Sequence, residues 1–188
     1  MNIVKKVTNS LRQDGISGFL TKVKKHFYNE EKSEYYKWIK ENTPSERELK
    51  EQAKYKFKYE PKISIVVPLY NTPKKYLLEL IKYVQKQTYS NWELCFADGS
   101  TEPLSFVEPI ANKDSRIKYK ILKENKGISG NTDEALKMVT GDYVALLDHD
   151  DLIPFNSLYE IVKAINENPE VEFLYSDEDK LEAIDQPR

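Results

Sequence analysis

The feature that most constrains this chain is a run of apolar residues that does not alternate, Tyr143-Val144-Ala145-Leu146-Leu147, followed at once by Asp148-His149-Asp150-Asp151. A strand wetted on one side alternates polar and apolar side chains. A run that is apolar at every position suits a central strand covered on both faces. Ile63-Ser64-Ile65-Val66-Val67 is a second strand, ending at Pro68, and further strands are expected over 92–97, 117–122 and 171–175. Helical stretches separate them. Thr72-Pro73 opens a helix with Leu77, Ile81 and Val84 on its apolar face, and another covers 131–139 with Gly141 as its stop. Ser157-Leu158-Tyr159-Glu160 reads as a capping box for a helix that turns Leu158, Ile161, Val162 and Ile165 inward and ends at Asn168-Pro169. This alternation predicts an α/β fold, a mostly parallel Rossmann-like sheet with right-handed crossovers, beginning near residue 61.

Three carboxylates within four residues, where a buried strand stops, repel one another, and each requires water or a cation. A hard divalent ion, Mg²⁺ or Mn²⁺, takes oxygen ligands and would neutralise them. The plainer reading is an acidic loop that caps the next helix, and the cluster alone leaves both open. Two other strand ends are unusual: Val67-Pro68-Leu69-Tyr70-Asn71 and Ala97-Asp98-Gly99-Ser100. In a doubly wound sheet such ends converge on one crevice. There, a ring at Tyr70 can pack on a planar base and a carboxylate at Asp98 can accept a base N–H. Gly99 allows close backbone approach. Carboxylates at Asp148 and Asp150 can hold a ribose and a metal that bridges phosphates. Singly, Asp98-Gly99 is an ordinary turn and Tyr70-Asn71 an ordinary loop; the inference rests on their joint placement.

Residues 1–60 differ in character, with many lysines and no strand-like run. From Ile3 to Phe27 apolar residues recur at three- and four-residue steps, while Lys5, Lys6, Arg12, Lys22, Lys24 and Lys25 face them against a single acid, Asp14. Residues 1–28 therefore suit either peripheral contact with an anionic membrane surface or packing on the main domain or another subunit of a homo-oligomer. Thr43-Pro44-Ser45-Glu46 is expected to cap a second helix through Thr43. With 29 basic and 31 acidic residues, the chain does not suit a general nucleic-acid binder. The lone cysteine, Cys95, rules out a disulfide scaffold and points to a cytoplasmic setting with Cys95 as a small buried residue. No apolar run reaches membrane-spanning length, and the N-terminus is not a secretory signal.

The strand-end motifs, together with Asn125-Lys126-Gly127-Ile128-Ser129 and Gly141-Asp142-Tyr143, in this order, resemble family 2 glycosyltransferases of the GT-A fold. Ser176-Asp177-Glu178-Asp179-Lys180 is similar to a segment of bacterial members that build capsule, O-antigen or rhamnose-containing polysaccharide. The resemblance covers residues 61–188, a donor-binding domain expected to be incomplete at its C-terminal side, after a helical extension of residues 1–60. It implies a nucleotide-diphosphate sugar donor (a UDP-sugar or dTDP-rhamnose), a saccharide or lipid-linked acceptor, and an inverting displacement aided by Mn²⁺ or Mg²⁺. Tyr70 would flank the base and Asp98 would bond its imide. Pro68, Asn71, Lys126, Gly127 and His149 would line the donor site. Asp148 would contact ribose or the metal shell, and Asp150, second acid of the Asp-x-Asp motif, would bind the metal.

The chain departs from the family pattern at Ala97, where a first acid is usual, and at Thr132-Asp133, where Arg-Asn is usual. Lys126 is a candidate replacement for the missing arginine. The catalytic base is expected beyond this segment, with Asp177, Glu178 and Asp179 as weak candidates. Two other classes compete. One is a non-catalytic GT-A-like assembly module acting through its N-terminal helices. The other is a different nucleotide enzyme. A nucleotidyltransferase would want a Gly-rich basic loop after the first strand, and a phosphatase its acidic pair there.

Overall fold

A computed structural model describes residues 34–179, so the basic face of residues 1–28 lies outside the described residues. The chain divides into two units, Met1–Ser45 and Glu46–Arg188. In the first, residues 34–42 are helical (α1). The Thr43 hydroxyl donates to the carbonyl of Ile39, closing the end of α1 instead of capping the helix that follows. The boundary thus falls after Ser45, and residues 46–60 go with the α/β unit rather than with the N-terminal extension.

That unit begins with α2 (Glu46–Gln52) and continues β1 (Ile63–Leu69), α3 (Lys74–Gln85), β2 (Trp92–Asp98), a 3-10 turn (Ser105–Val107) and α4 (Glu108–Ala111). β3 (Ile117–Ile121), α5 (Gly127–Leu136), β4 (Tyr143–Leu146) and α6 (Ser157–Glu167) complete it. All strand pairs are parallel, in the order β3-β2-β1-β4. The segment before β1 is anchored by Phe57, which packs on the core, and by Asn166, whose side chain exchanges two hydrogen bonds with the backbone of Tyr59.

Strand residues alternate between faces. Ile63, Ile65, Val67 and Leu69 of β1 and Trp92, Leu94 and Phe96 of β2 meet Leu77, Leu80, Ile81 and Val84 of α3 and Leu158, Val162 and Ile165 of α6 in one core. Full burial of each such side chain is worth about 1.5–3 kcal/mol. On the other face Val66 and Ala97 pack against Ala135 of α5. Cys95 is fully buried in β2, as its context suggests, and burial pushes its thiol up to about 11, away from reactivity.

Four further expectations fail. The strand at 143–147 is not central among the described strands: β4 lies at the edge of the sheet they form, and Val144 and Leu146 are 44% and 72% exposed, α5 packing mainly on β1 and β2. The expected strand at 171–175 is not formed; Phe173 and Tyr175 stand 81% and 87% exposed, and no described strand pairs with the outer edge of β4. A parallel strand needs an aligned neighbour for its backbone, and strand propensity in Val171-Glu172-Phe173-Leu174-Tyr175 supplies none. The helix placed at 131–139 begins four residues earlier, at Gly127, and α6 is preceded by Asn156 rather than closed by a Ser157–Glu160 box.

Candidate functional site

β1 and β4 separate at Pro68. The Leu147 N–H still donates to the carbonyl of Val66, but the next rung would need an N–H at Pro68, which has none. Pairing of β1 with β4 therefore stops at Val66, while β1 stays paired with β2 through Leu69. The two strand ends diverge, and a crevice of about 340 Å³ opens between them, lined by Pro68, Leu69, Tyr70, Asn125, Gly127, Ile128, Asn131, Asp148, His149 and Asp150. Its place, at the carboxyl ends where strand order reverses, is where open α/β sheets bind ligands.

The crevice brings together Pro68, Tyr70, Gly127, Asp148, His149 and Asp150 among the residues singled out from sequence. Tyr70 is half exposed, with its ring at the crevice. The carboxylate of Asp150 is 61% exposed and lies 3.8 Å from Nδ1 of His149, a nitrogen that is itself shielded and without a hydrogen-bond partner. The carboxyl of the neighbouring Asp151 is raised above the usual range by burial and then by the charges of Asp150, Asp148 and Glu178. The segment carrying Asp177, Glu178 and Asp179 thus brings at least one further negative charge to bear on the acidic loop.

Three expected residues sit elsewhere. Asp98 is 1% exposed and its carboxylate is already engaged, by the Ser100 N–H at 2.9 Å, the Leu104 N–H at 2.8 Å and the Tyr119 hydroxyl at 2.5 Å. It fixes the loop after β2 from below and does not line the crevice. Asn71, at φ 50°, accepts the Thr101 N–H on its side chain and donates its own N–H to the Ser100 hydroxyl, tying the β1 and β2 ends together. The ammonium of Lys126 lies 2.7 Å from Glu134, which also binds Lys120 at 2.7 Å and Lys137 at 2.8 Å. These bonds, from Lys120 foremost, hold the Glu134 carboxyl well below the usual range.

Leu69, Asn125, Ile128 and Asn131 also line the crevice, without having been named as site residues from sequence. For Asn131 a signal existed: it lies four residues before Ala135, on the buried stripe of α5, where a polar side chain is out of place unless it is bonded.

The sequence profile of glycosyl transferase family 2 matches residues 64–178, most of the α/β unit and every element of the crevice. The chain belongs to this family. It is 40% identical over 124 residues to the uncharacterized protein y4gI of Sinorhizobium fredii, covering 64% of this chain and 14% of that protein. It is 34% identical over 113 residues to the UDP-Glc:alpha-D-GlcNAc-diphosphoundecaprenol beta-1,3-glucosyltransferase WfgD of Escherichia coli, covering 60% of this chain and 44% of that one. The structure of S. aureus TarS 1-349 in complex with UDP superposes with a TM-score of 0.53 at 33% identity, covering 57% of this chain and 33% of TarS. The chain therefore spans less than half the length of these relatives.

Proposed function

We propose that this chain supplies the donor-binding half of a glycosyltransferase that moves a sugar from a nucleoside-diphosphate donor to a saccharide or lipid-linked saccharide in bacterial surface-polysaccharide synthesis. The observation that carries the reading is the crevice between β1 and β4, which sets one aromatic ring, Tyr70, across from two carboxylates, Asp148 and Asp150. That pairing suits a molecule with a flat base at one end and a diphosphate at the other. The names of relatives support it: WfgD is a UDP-Glc glucosyltransferase, and TarS has been crystallised with UDP.

In this reading Tyr70 stacks on the base, and Gly127, which has no side chain at φ 72°, lets the donor approach the start of α5 closely. Asp98 acts indirectly, by shaping the loop beside the base. Asp148 and Asp150 are hard oxygen donors on an accessible loop. Among the described residues no group of three or more His, Cys, Asp or Glu side chains converges to hold a metal. Mg²⁺ and Mn²⁺ need no such cage when one or two carboxylates act together with substrate phosphates. The residues present fit an ion completed by the donor's diphosphate, with Asp150 and Asp148 holding it and His149 beside them. When bound, it would stabilise the charge that builds on the departing diphosphate.

The transfer is a single displacement. The acceptor hydroxyl oxygen bonds to the anomeric carbon as the bond from that carbon to the diphosphate oxygen breaks, and the configuration inverts. The hydroxyl proton passes to a general base. That base is expected outside this segment; within it Asp177, Glu178 and Asp179 are the weaker candidates, supported by the charge Glu178 brings to the acidic loop at Asp151. Calorimetric titration of UDP and dTDP with and without Mn²⁺ tests the reading: saturable binding that strengthens with Mn²⁺ is expected, and no binding of either nucleotide would refute it.

A further inference from the structure

Asn131 is a fully buried amide in the floor of the crevice, 1% exposed, and each of its polar groups is committed to a different part of the wall. Its Oδ1 accepts the Lys126 N–H at 3.1 Å. Its Nδ2 donates to the carbonyl of Leu69 at 3.3 Å and to Oδ1 of Asn125 at 3.0 Å. Asn125 Oδ1 in turn accepts the Gly127 N–H at 3.0 Å. A primary amide offers two donor hydrogens and an acceptor oxygen with two lone pairs, so both donors and one acceptor position of this side chain are used.

The three anchors come from two separate stretches of chain. Leu69 is the last residue of β1, immediately before Tyr70, while Asn125 and Lys126 form the turn that delivers Gly127 to the start of α5. The β2 end is built around the same amide: a Cβ at Gly99 would lie 2.7 Å from Nδ2 of Asn131 and 3.2 Å from Cα of Asn125. Gly99 is therefore required less by its own backbone than by the asparagine pair that passes against it.

Resting on the nucleotide reading above, we propose that Asn131 is the positioning residue of the donor crevice. It holds the Asn125–Gly127 turn at a fixed distance from the end of β1, so that the two sides of the bound nucleotide are set before it arrives. Burying a polar amide costs free energy unless it is bonded, and a crevice floor needing only bulk would be filled by an apolar side chain. The β1 end is tied to the β2 end through Asn71, and Asn131 bonds it directly to the turn before α5, which matters because a binding site tolerates little relaxation of its walls.

The test is UDP affinity of the 188-residue chain with Mn²⁺, measured by calorimetry on Asn131→Ala, Asn131→Asp and a control, Val162→Ala, in the α6 core away from the crevice. Asn131→Ala should weaken UDP roughly tenfold, the equivalent of losing about one to two net hydrogen bonds. Asn131→Asp keeps the acceptor for Lys126 but loses both donors, and should weaken UDP while retaining protection of the Lys126 amide from hydrogen exchange. Val162→Ala should lower the unfolding midpoint and leave UDP affinity within about twofold, since its cavity is remote from the site. In an Asn125→Ala background the further loss from Asn131→Ala should be much smaller than in the parent. The proposal is overturned if Asn131→Ala binds UDP like the parent, or weakens it no more than Val162→Ala does at equal loss of stability. If the parent binds no nucleotide, the functional reading falls instead. Amide exchange then decides the role of Asn131, since unchanged protection of Lys126 and Gly127 in Asn131→Ala would overturn it independently.

Discussion

The Lys118 ammonium lies 2.9 Å from the carboxylate of Glu93, which is 1% exposed at the start of β2, the end of the sheet opposite the crevice. Lys62 reaches the same carboxylate from the residue before β1, and the Thr140 N–H and hydroxyl and the Ser64 hydroxyl complete its shell. Four stretches of chain are thus drawn together around one charge. Glu93→Gln keeps the volume but leaves two lysines without their counter-charge. Because both lysines are about a third exposed and can turn to water, the expected loss is about 2–3 kcal/mol rather than the full cost of a buried orphan. Urea unfolding measures it, and UDP affinity should be unchanged.

The same carboxylate sets an acid limit. Burial alone would raise its pKa, but the bonds from Lys62, Lys118 and Thr140 outweigh burial and hold the folded value well below the ordinary 4.5. A depressed folded pKa contributes stability that is complete above the unfolded value and is lost as pH falls through the folded one. Unfolding midpoints should therefore fall steadily below a pH of about 4.5. The Glu93→Gln chain should show a shallower decline over that range.

Removal of the metal-binding carboxylate should separate two parts of UDP binding. Asp150→Ala should abolish the strengthening by Mn²⁺ and leave the weaker, metal-independent affinity carried by the base and the Asn131 network. Because Asp150 is an exposed loop residue, the unfolding midpoint should move by less than about 0.5 kcal/mol. Equal UDP affinity in Mn²⁺ and in EDTA for the parent chain would refute a metal role.

Lys126→Ala should change UDP affinity by less than about threefold, because its ammonium serves Glu134 and Glu134 keeps Lys120 and Lys137. A loss of tenfold or more would restore Lys126 as a phosphate contact.

Gly141→Ala should destabilise the chain by about 1–3 kcal/mol, the usual cost of overpacking. A methyl group there would meet the carbonyl oxygen of Lys62 and the hydroxyl of Ser64, which itself accepts the Gly141 N–H. Thermal unfolding measures the effect.

The parallel sheet was legible because β1 and β2 announce themselves by composition: Ile63 to Leu69 and Trp92 to Asp98 are buried at nearly every position. The acidic loop was legible for a similar reason, since Asp148 and Asp150 follow an apolar run with no structural need for charge. What failed was neighbourhood. Apolar content in Tyr143–Leu146 says that the strand can be buried, and it cannot say whether a layer covers it. Asp98 and Lys126 were expected in the donor site from strand-end placement and from the family resemblance, and sequence did not show which side chains already engage them. Their partners, Tyr119 and Glu134, lie 21 and 8 residues away in sequence, and only the fold brings them within reach. Asn131 was missed although a polar residue on the buried stripe of α5 marks it, because only the fold brings the end of β1 to it.

Among the described residues no strand lies beside the outer edge of β4, and that edge has a consequence for strand pairing. A row of backbone donors and acceptors, flanked by Val144 and Leu146 facing water, is a template onto which another chain's strand can register. Leu146, 72% exposed on that edge strand, is the place to test it: Leu146→Lys should raise the concentration at which light scattering from self-association appears.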